Sequence, residues 1–246
     1  MDFSIEELSI NAWPSLQTLL YDGWVIRMAD GYGNRANSIN PLYPSRINLE
    51  EKLTYCDELF SRHNLLTAYK LAGCGEHEVI DKRLEELGYR KINETSIQVC
   101  EIPPPVQGAR EGIEVREEFS SQWMESVIEF NKIEGKHAGV FKKILGNIAV
   151  EKIVVHKESG GKIVGCGYGA IENGYAGVFD IVVQEEFRRK GYAREIVETI
   201  LSEAAKRGAK HSYLQVMLNN PPALHLYEKL GYREIYKYWY RKAAKL

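Results

Sequence analysis

Two stretches of this chain read alike at a fixed distance. Leu87-Gly88-Tyr89-Arg90 returns as Leu230-Gly231-Tyr232-Arg233, so Gly88 and Gly231 stand 143 positions apart. The same offset carries Val183, the end of one apolar run, onto Asn40, where another strand pattern ends, and Ala193 onto Glu50, where a helical pattern also begins. One offset shared by strand, helix, strand and helix predicts a duplicated α/β unit rather than a chance tetrapeptide. The chain length of 246 residues fits two domains, given that domains of about 100–150 residues are the common size. The natural boundary is Pro103-Pro104-Pro105, three residues without backbone donors that stiffen an extended segment. The expected layout is therefore a first domain over 1–102, a linker over 103–112 and a second domain over 113–246.

Periodicity fills in the elements. The first copy reads as a helix over 5–20, a hairpin with strands over 23–29 and 34–40, and a helix over 49–62. A strand over 65–71, a helix over 78–87 stopped by Gly88 and a strand over 89–100 complete it. The second copy opens with a strand over 113–116 and a helix over 117–134, then a meander over 151–157, 162–171 and 175–183.

The last strand of that meander leads into the most informative stretch. Val178 to Val183 is an apolar run interrupted by one acid, Asp180, and suits a buried strand. Arg188-Arg189-Lys190-Gly191 follows, and then Ile196, Val197, Ile200, Leu201, Ala204 and Ala205 recur on one helical face. A helix start leaves backbone N–H groups without partners and carries partial positive charge. Three cations and a glycine beside it make an anion cradle suited to phosphate.

Arg188-x-x-Gly191-x-Ala193 after a hydrophobic strand resembles the pyrophosphate loop of the GNAT superfamily, the acetyl-CoA-dependent N-acyltransferases. After a strand at Tyr213-Leu214-Gln215-Val216 comes Asn220-x-x-Ala223-x-x-Leu226-Tyr227-Glu228-Lys229-Leu230-Gly231-Tyr232. It is similar to the second GNAT signature, Asn-x-x-Ala-x-x-Leu-Tyr-x-x-x-Gly-Phe/Tyr. The resemblance covers 113–240. It implies an α/β (α+β) fold of two GNAT-like domains, each a mixed central sheet flanked by helices, with strands 4 and 5 of the second domain splayed. It also implies transfer of an acetyl group from acetyl-CoA to a primary amine of a small molecule or a peptide, by direct attack in a ternary complex. A non-catalytic acyl-CoA-binding or scaffold protein is the alternative.

The resemblance assigns roles residue by residue. Pantetheine would run along Ile181, Val182 and Val183, and the pyrophosphate would sit over Arg188, Arg189, Lys190, Gly191, Tyr192 and Ala193. A preorganised N–H at the splay, that of Val183, would face the oxyanion. Tyr227 matches the family tyrosine that hydrogen-bonds or protonates the departing thiolate. Asn220 would hold the strand-to-helix loop against the cofactor arm. Asp180 resembles the aspartate in the Asp-Ile-x-Val segment of glucosamine-phosphate acetyltransferases. Phe179 stands where those enzymes carry Glu, and Gly177 where histone-type relatives carry their glutamate, so Asp180 is the candidate base and a structural acid is its other reading.

At the same offset, the first copy replaces the cradle with Ser45-Arg46-Ile47-Asn48-Leu49-Glu50, Tyr227 with Leu84 and Asn220 with His77. It has no glycine for close approach, and Glu50 repels a phosphate by roughly 1 kcal/mol at about 4 Å even in water. The expectation is a tandem GNAT protein whose degenerate N-terminal half binds no CoA. Such a chain is a pseudo-dimer within itself, so a monomer or a homodimer would serve.

Other features narrow the classes. A formal charge of −2 and 27% charged residues carry no bias toward nucleic acid. No apolar run approaches the roughly 20 residues a bilayer requires, and the acidic start Met1-Asp2-Phe3-Ser4-Ile5-Glu6-Glu7 is unlike a secretion signal, so a cytoplasmic protein is expected. Cys56, Cys74, Cys100 and Cys166 are far apart and lack metal-ligand spacing, which predicts reduced thiols and no metal. Gly165-x-Gly167-x-Gly169 imitates a dinucleotide fingerprint but lies inside a strand with no helix after it, so close packing is the better reading. Arg35 and Asn37 read as substrate-facing or turn-fixing. Tyr236, Tyr238, Trp239 and Tyr240 read as acceptor-pocket or sheet-face aromatics.

Overall fold

The duplication is visible in where the elements begin. In the computed structural model, which describes residues 3–105 and 110–244, helix α2 (Leu49–Arg62) and strands β4 (Ala68–Ala72) and β5 (Arg90–Glu101) start at Leu49, Ala68 and Arg90. Helix α6 (Tyr192–Lys206) and strands β10 (His211–Met217) and β11 (Arg233–Lys242) each start 143 residues later. Residues 106–109 of the predicted linker lie outside the described residues.

Two compact units result. One comprises Met1–Ile97, Val216–Pro221 and Glu234–Leu246; the other comprises Gln98–Gln215 and Pro222–Arg233. The first unit also contains α1 (Phe3–Ala12), β1 (Gln17–Tyr21), β2 (Trp24–Met28), β3 (Ser38–Pro41) and α3 (Glu76–Glu86). Its strands run in the order β1-β2-β3-β4-β11-β5. The last strand of the chain is thus inserted into the first unit, antiparallel to β4, with Tyr238 opposite Ala72 and Lys242 opposite Ala68. Arg241 on that strand is buried and paired with Asp81 at 2.7 Å and Glu85 at 3.0 Å on α3. The core packs Trp24, Ile26, Ile39, Phe60, Tyr69, Leu71 and Leu84. The aromatics at 236–240 are sheet-face residues, with Tyr238 and Tyr240 buried and Trp239 Nε1 donating to Asp81 at 2.6 Å.

The second unit contains β6 (Ile113–Arg116), α4 (Ser121–Phe130), α5 (Lys136–Gly146), β7 (Glu151–Ser159), β8 (Lys162–Glu172), β9 (Tyr175–Val183) and most of α7 (Pro221–Lys229). Its strand order is β10-β9-β8-β7-β6, with β9 and β10 parallel and the rest antiparallel. Glycines decide how α6 is seated. A Cβ on Gly169 would lie 2.6 Å from Ile200, and one on Gly167 would lie 2.8 Å from Ile196. The glycine stripe of β8 therefore brings a helix onto the sheet. On the opposite face, Phe119, Trp123, Tyr168, Phe179 and Tyr213 form a chain of ring contacts 5.0 to 5.9 Å apart.

Three expectations need correction. The helix read over 5–20 ends at Ala12, and Gln17–Tyr21 is a strand. Leu16, Leu19 and Leu20 continue the helical spacing, but Pro14 interrupts the hydrogen-bond ladder and Asp22-Gly23 turns the chain into β2. Gly23 has φ +82°, and a Cβ there would lie 2.4 Å from the Tyr43 carbonyl oxygen. The strand read over 34–40 is Ser38–Pro41. Asn37 fixes the turn before it, its Oδ1 accepting from the N–H groups of Ala29 at 3.1 Å and Gly31 at 3.2 Å. Finally, the helix read over 117–134 is Ser121–Phe130, and a second helix follows at Lys136–Gly146. Ser120 Oγ caps the first by accepting from Trp123 N–H at 3.1 Å, and Lys132 and Gly135 at positive φ separate the two.

Candidate functional site

In the second unit, β9 and β10 pair over four rungs, from Tyr175↔His211 to Val178↔Leu214. Strand β9 continues to Val183 and β10 to Met217, but the recorded pairing stops, so the two strands splay. A bulge marks the place. Tyr168 pairs with Phe179 and Cys166 with Val182, leaving Asp180 and Ile181 opposite Gly167 alone. Asp180 takes φ +48°, unusual for a residue other than glycine. Gly167 accommodates the bulge, because a Cβ there would lie 2.3 Å from Ile181 Cδ1.

Alternation then sets the direction of Val183. The Gln184 N–H donates to the Val164 carbonyl at 2.9 Å, toward β8. Successive N–H groups of a strand point to opposite edges, so the Val183 N–H is directed into the gap. Its carbonyl points the same way and accepts from Arg188 Nε at 3.1 Å.

The cradle follows at once. A single 3-10 turn at Glu185–Phe187 leads to Arg188, Arg189 and Lys190, all exposed. Arg189 has φ +64° and Gly191 has φ +87°, two left-handed residues either side of Lys190 that turn the chain into α6. A Cβ on Gly191 would meet nothing within 4 Å. The space above the helix start is open. Glu195 N–H makes the first helical bond, to Gly191 O at 3.1 Å, so the N–H groups of Tyr192, Ala193 and Arg194 precede the ladder. Lys157 Nζ lies 4.9 Å from the Tyr192 ring centroid and 2.8 Å from Glu195, and Lys190 Nζ sits 4.7 Å over Phe187. The arrangement can hold a polyanion by backbone donors, helix dipole and flanking cations together.

Tyr227 is buried on the inner side of α7, its ring 5.8 Å from that of Tyr232. Tyr232 anchors this corner through a 2.6 Å hydrogen bond with Ser212 Oγ, and burial pushes its hydroxyl pKa well up. Asn220 is exposed at the foot of α7, where its N–H donates to the Met217 carbonyl at 3.1 Å. Asp180 is partly buried, and its charge adds to the effect of burial in raising the Cys166 thiol. The thiols of Cys56 and Cys100 are likewise pushed up by burial, to about 12 and about 11, and stay protonated at neutral pH.

The corresponding places in the first unit are filled from within. Asp22 Oδ2 accepts the N–H groups of Arg46 and Ile47, both at 2.8 Å, and pairs with Lys52 Nζ at 3.2 Å. The Ile47 and Arg46 bonds, with Lys52, hold the Asp22 carboxyl below its ordinary pKa against the opposing effect of burial. Across the β3–β4 gap, where the single parallel rung is Ile39↔Tyr69, His77 bridges the strands. Its Nδ1 accepts from Ala72 N–H at 2.8 Å and its Nε2 lies 2.6 Å from the Pro41 carbonyl oxygen. The cavity beside it measures about 10 Å³, the room of roughly one water. Neither Asp22 nor His77 announces this locally, since Arg46 lies 24 residues from Asp22 and Pro41 lies 36 from His77.

Known proteins resemble this chain over most of its length. Residues 4–241 match the family described as "Probable histone acetyltransferase Rv0428c C-terminal". The "Uncharacterized N-acetyltransferase YobR" of Bacillus subtilis (strain 168) is 27% identical over 245 residues, covering 96% of each chain. Among solved structures, a GCN5-related N-acetyltransferase from Kribbella flavida superposes with a TM-score of 0.68 at 14% identity, covering 100% of this chain and 96% of that one. A tandem GNAT protein from the clavulanic acid biosynthesis pathway gives 0.64 at 13% identity, covering 84% and 74%. These last two likenesses concern the fold.

Proposed function

The chain belongs to the Rv0428c C-terminal acetyltransferase family, within the GNAT superfamily, and is an N-acetyltransferase; from that premise we propose that its second unit takes acetyl-CoA as donor and a primary amine as acceptor. The observation that carries the reading is the open left-handed turn at Gly191, set at a helix start and directly after a splayed strand. A diphosphate fits there because nothing crowds the glycine and three helix-start N–H groups precede the ladder. Acetyl-CoA supplies an activated acyl thioester.

Each residue then has a task. Arg189, Lys190 and the N–H groups of Gly191, Tyr192 and Ala193 bind the diphosphate, while Arg188 ties the loop to the strand end through Val183 O. Ile181, Val182 and Val183 line the pantetheine arm. The Val183 N–H donates to the thioester oxygen as negative charge gathers on it. Asp180 takes a proton from the acceptor's ammonium, directly or through water, leaving a neutral amine whose lone pair attacks, and the second proton shed by nitrogen as the amide forms replaces the one Tyr227 gives to sulfur. Tyr227 returns a proton to the sulfur as the C–S bond breaks, and Asn220 steadies the β10–α7 turn. The first unit binds no CoA, because Asp22 already occupies its loop and His77 its gap.

Free thiol release from acetyl-CoA, measured across small-molecule amines and peptides with free N-termini or lysines, tests the reading. Turnover should appear with at least one amine. Tyr227→Phe and Asp180→Asn should each lower kcat by about 10²–10⁴-fold, the range of positioned acid–base groups, with acetyl-CoA affinity within about twofold of wild type. Unaltered kcat in either variant removes that residue from the mechanism. Coenzyme binding without turnover on any amine overturns the proposed acceptor.

A further inference from the structure

A second cluster of chemistry lies in the same unit, at the outer edge of its sheet. His156 on β7 faces Glu114 directly across the β6–β7 pair. Glu158, two residues on from His156, shares its face of the strand. His156 Nε2 lies 3.2 Å from Glu114 Oε2 and 3.3 Å from Glu158 Oε1, and the three atoms lie within 4.8 Å of one another. The imidazole is buried, with 4% of its side chain exposed, whereas each carboxylate is 42% exposed. The ring nitrogen thus forms the floor of a cup whose two walls reach solvent.

The distances separate two explanations. Charge-assisted N–H···O bonds are typically about 2.7–2.9 Å, and one imidazole N–H shared between two oxygens would be a three-centre bond. Ligands held about 2.0–2.1 Å from a tetrahedral ion stand roughly 3.3 Å apart. The two nitrogen–oxygen separations match the second figure. Two carboxylates and an imidazole are donor types that a zinc-type ion takes, and Arg116 Nη2 holds the remaining Glu114 oxygen at 2.5 Å. The backbone is already fixed, because Glu158 N–H donates to the Gly112 carbonyl at 2.6 Å. Cys166, opposite His156 on β8, is fully buried, and its sulfur is not among the three clustered ligand atoms.

We propose that Glu114, His156 and Glu158 form a binding site for a divalent transition ion of the zinc type, with a fourth position open to water. The ion would clamp the edge strand β6, the first strand of the unit, to β7. It stands apart from the acetyl-transfer residues, and the proposal does not rest on them.

The test uses untagged full-length protein carrying Cys74→Ser, which removes the exposed thiol, stripped with chelator and titrated with Co(II). One equivalent should give the intense visible absorption of four-coordinate cobalt, and Zn(II) should displace it. Glu158→Gln, at an exposed position that folding tolerates, should weaken binding at least tenfold, and Glu114→Gln should do the same. Zn(II) should raise the melting temperature of the parent and leave Glu158→Gln unmoved. Absence of the visible band, or a band that survives undiminished in both variants, overturns the proposal and marks any bound ion as adventitious.

Discussion

The two copies differ less in framework than in what fills them. Both have a parallel pair that separates, a loop, and a helix starting at the same offset. In the second copy the loop holds Gly191 at φ +87° with open space above it. In the first, the loop amides of Arg46 and Ile47, at the places of Arg189 and Lys190, are already bonded to Asp22, a carboxylate of the protein itself. The gap between strands is closed the same way, by His77 reaching both Pro41 O and Ala72 N–H. On the proposed reading, a binding cleft is retired by supplying its anion and its wedge from within the chain, with the fold untouched. The first copy keeps the structural value of those contacts, since Lys52, almost fully buried, has Asp22 as its counter-ion.

The comparison breaks most visibly at Gly191. A glutamate there would have to adopt left-handed backbone, costing about 1–2 kcal/mol, and would set a negative charge beside the diphosphate for about 1 kcal/mol more in water. Gly191→Glu should therefore weaken acetyl-CoA roughly 100-fold by calorimetry, and unchanged affinity ends the cradle assignment. The same titration of wild-type chain should give a stoichiometry of one coenzyme; a value of two would show that Asp22 and His77 do not close the first copy.

Next in size is a stability effect confined to the first unit. Removing the buried Arg241 leaves Asp81 without its main partner, and breaking such a pair costs about 3–5 kcal/mol. Arg241→Met should lower the melting point, and hydrogen exchange should show β4 amides opening before those of β8. Equal loss in both strands would argue against a first unit that depends on β11.

The smallest effect is a pH dependence. Burial first, against the opposing Pro41 hydrogen bond, holds the His77 pKa below its ordinary value near 6.5. The folded state thus favours the neutral ring, whose Nδ1 must stay unprotonated to accept from Ala72. Its contribution is complete above the unfolded pKa and declines as pH falls below about 6.5, by at most about 1.4 kcal/mol per pH unit. Between pH 7.5 and 5.5, wild type should lose more stability than His77→Gln; parallel curves would remove the histidine from the account.

Much of this was legible because it is local. Helix Leu49–Arg62 follows from apolar spacing and an Asn48 cap, and the Arg188-x-x-Gly191-x-Ala193 loop from residue types at fixed steps. Strand Gln17–Tyr21 was not, since Leu16, Leu19 and Leu20 carry a helical spacing that a distant pairing with β2 overrides. Asp180 illustrates the same limit within the site: an acid in an apolar run is visible in the sequence, but its bulge and positive φ depend on Gly167 in the neighbouring strand. In the sequence the first copy shows a missing glycine, an acid at Glu50, Leu84 for Tyr227 and His77 for Asn220, but not the contacts that fill it. Which side chain would take its place depends on turns that bring Asp22 to Arg46 and Ile47.

Strand β11 has a consequence for biosynthesis. The slot between β4 and β5 is ready to form once residue 101 has been translated, yet its occupant begins at Arg233. At roughly 5–20 residues per second, the ribosome needs on the order of ten seconds to deliver it. During that interval the nascent first half presents two unpaired sheet edges, the kind of surface that recruits neighbouring chains. A chain stopped just before Arg233 would leave the first unit without its inserted strand, so such a truncated product should aggregate rather than function.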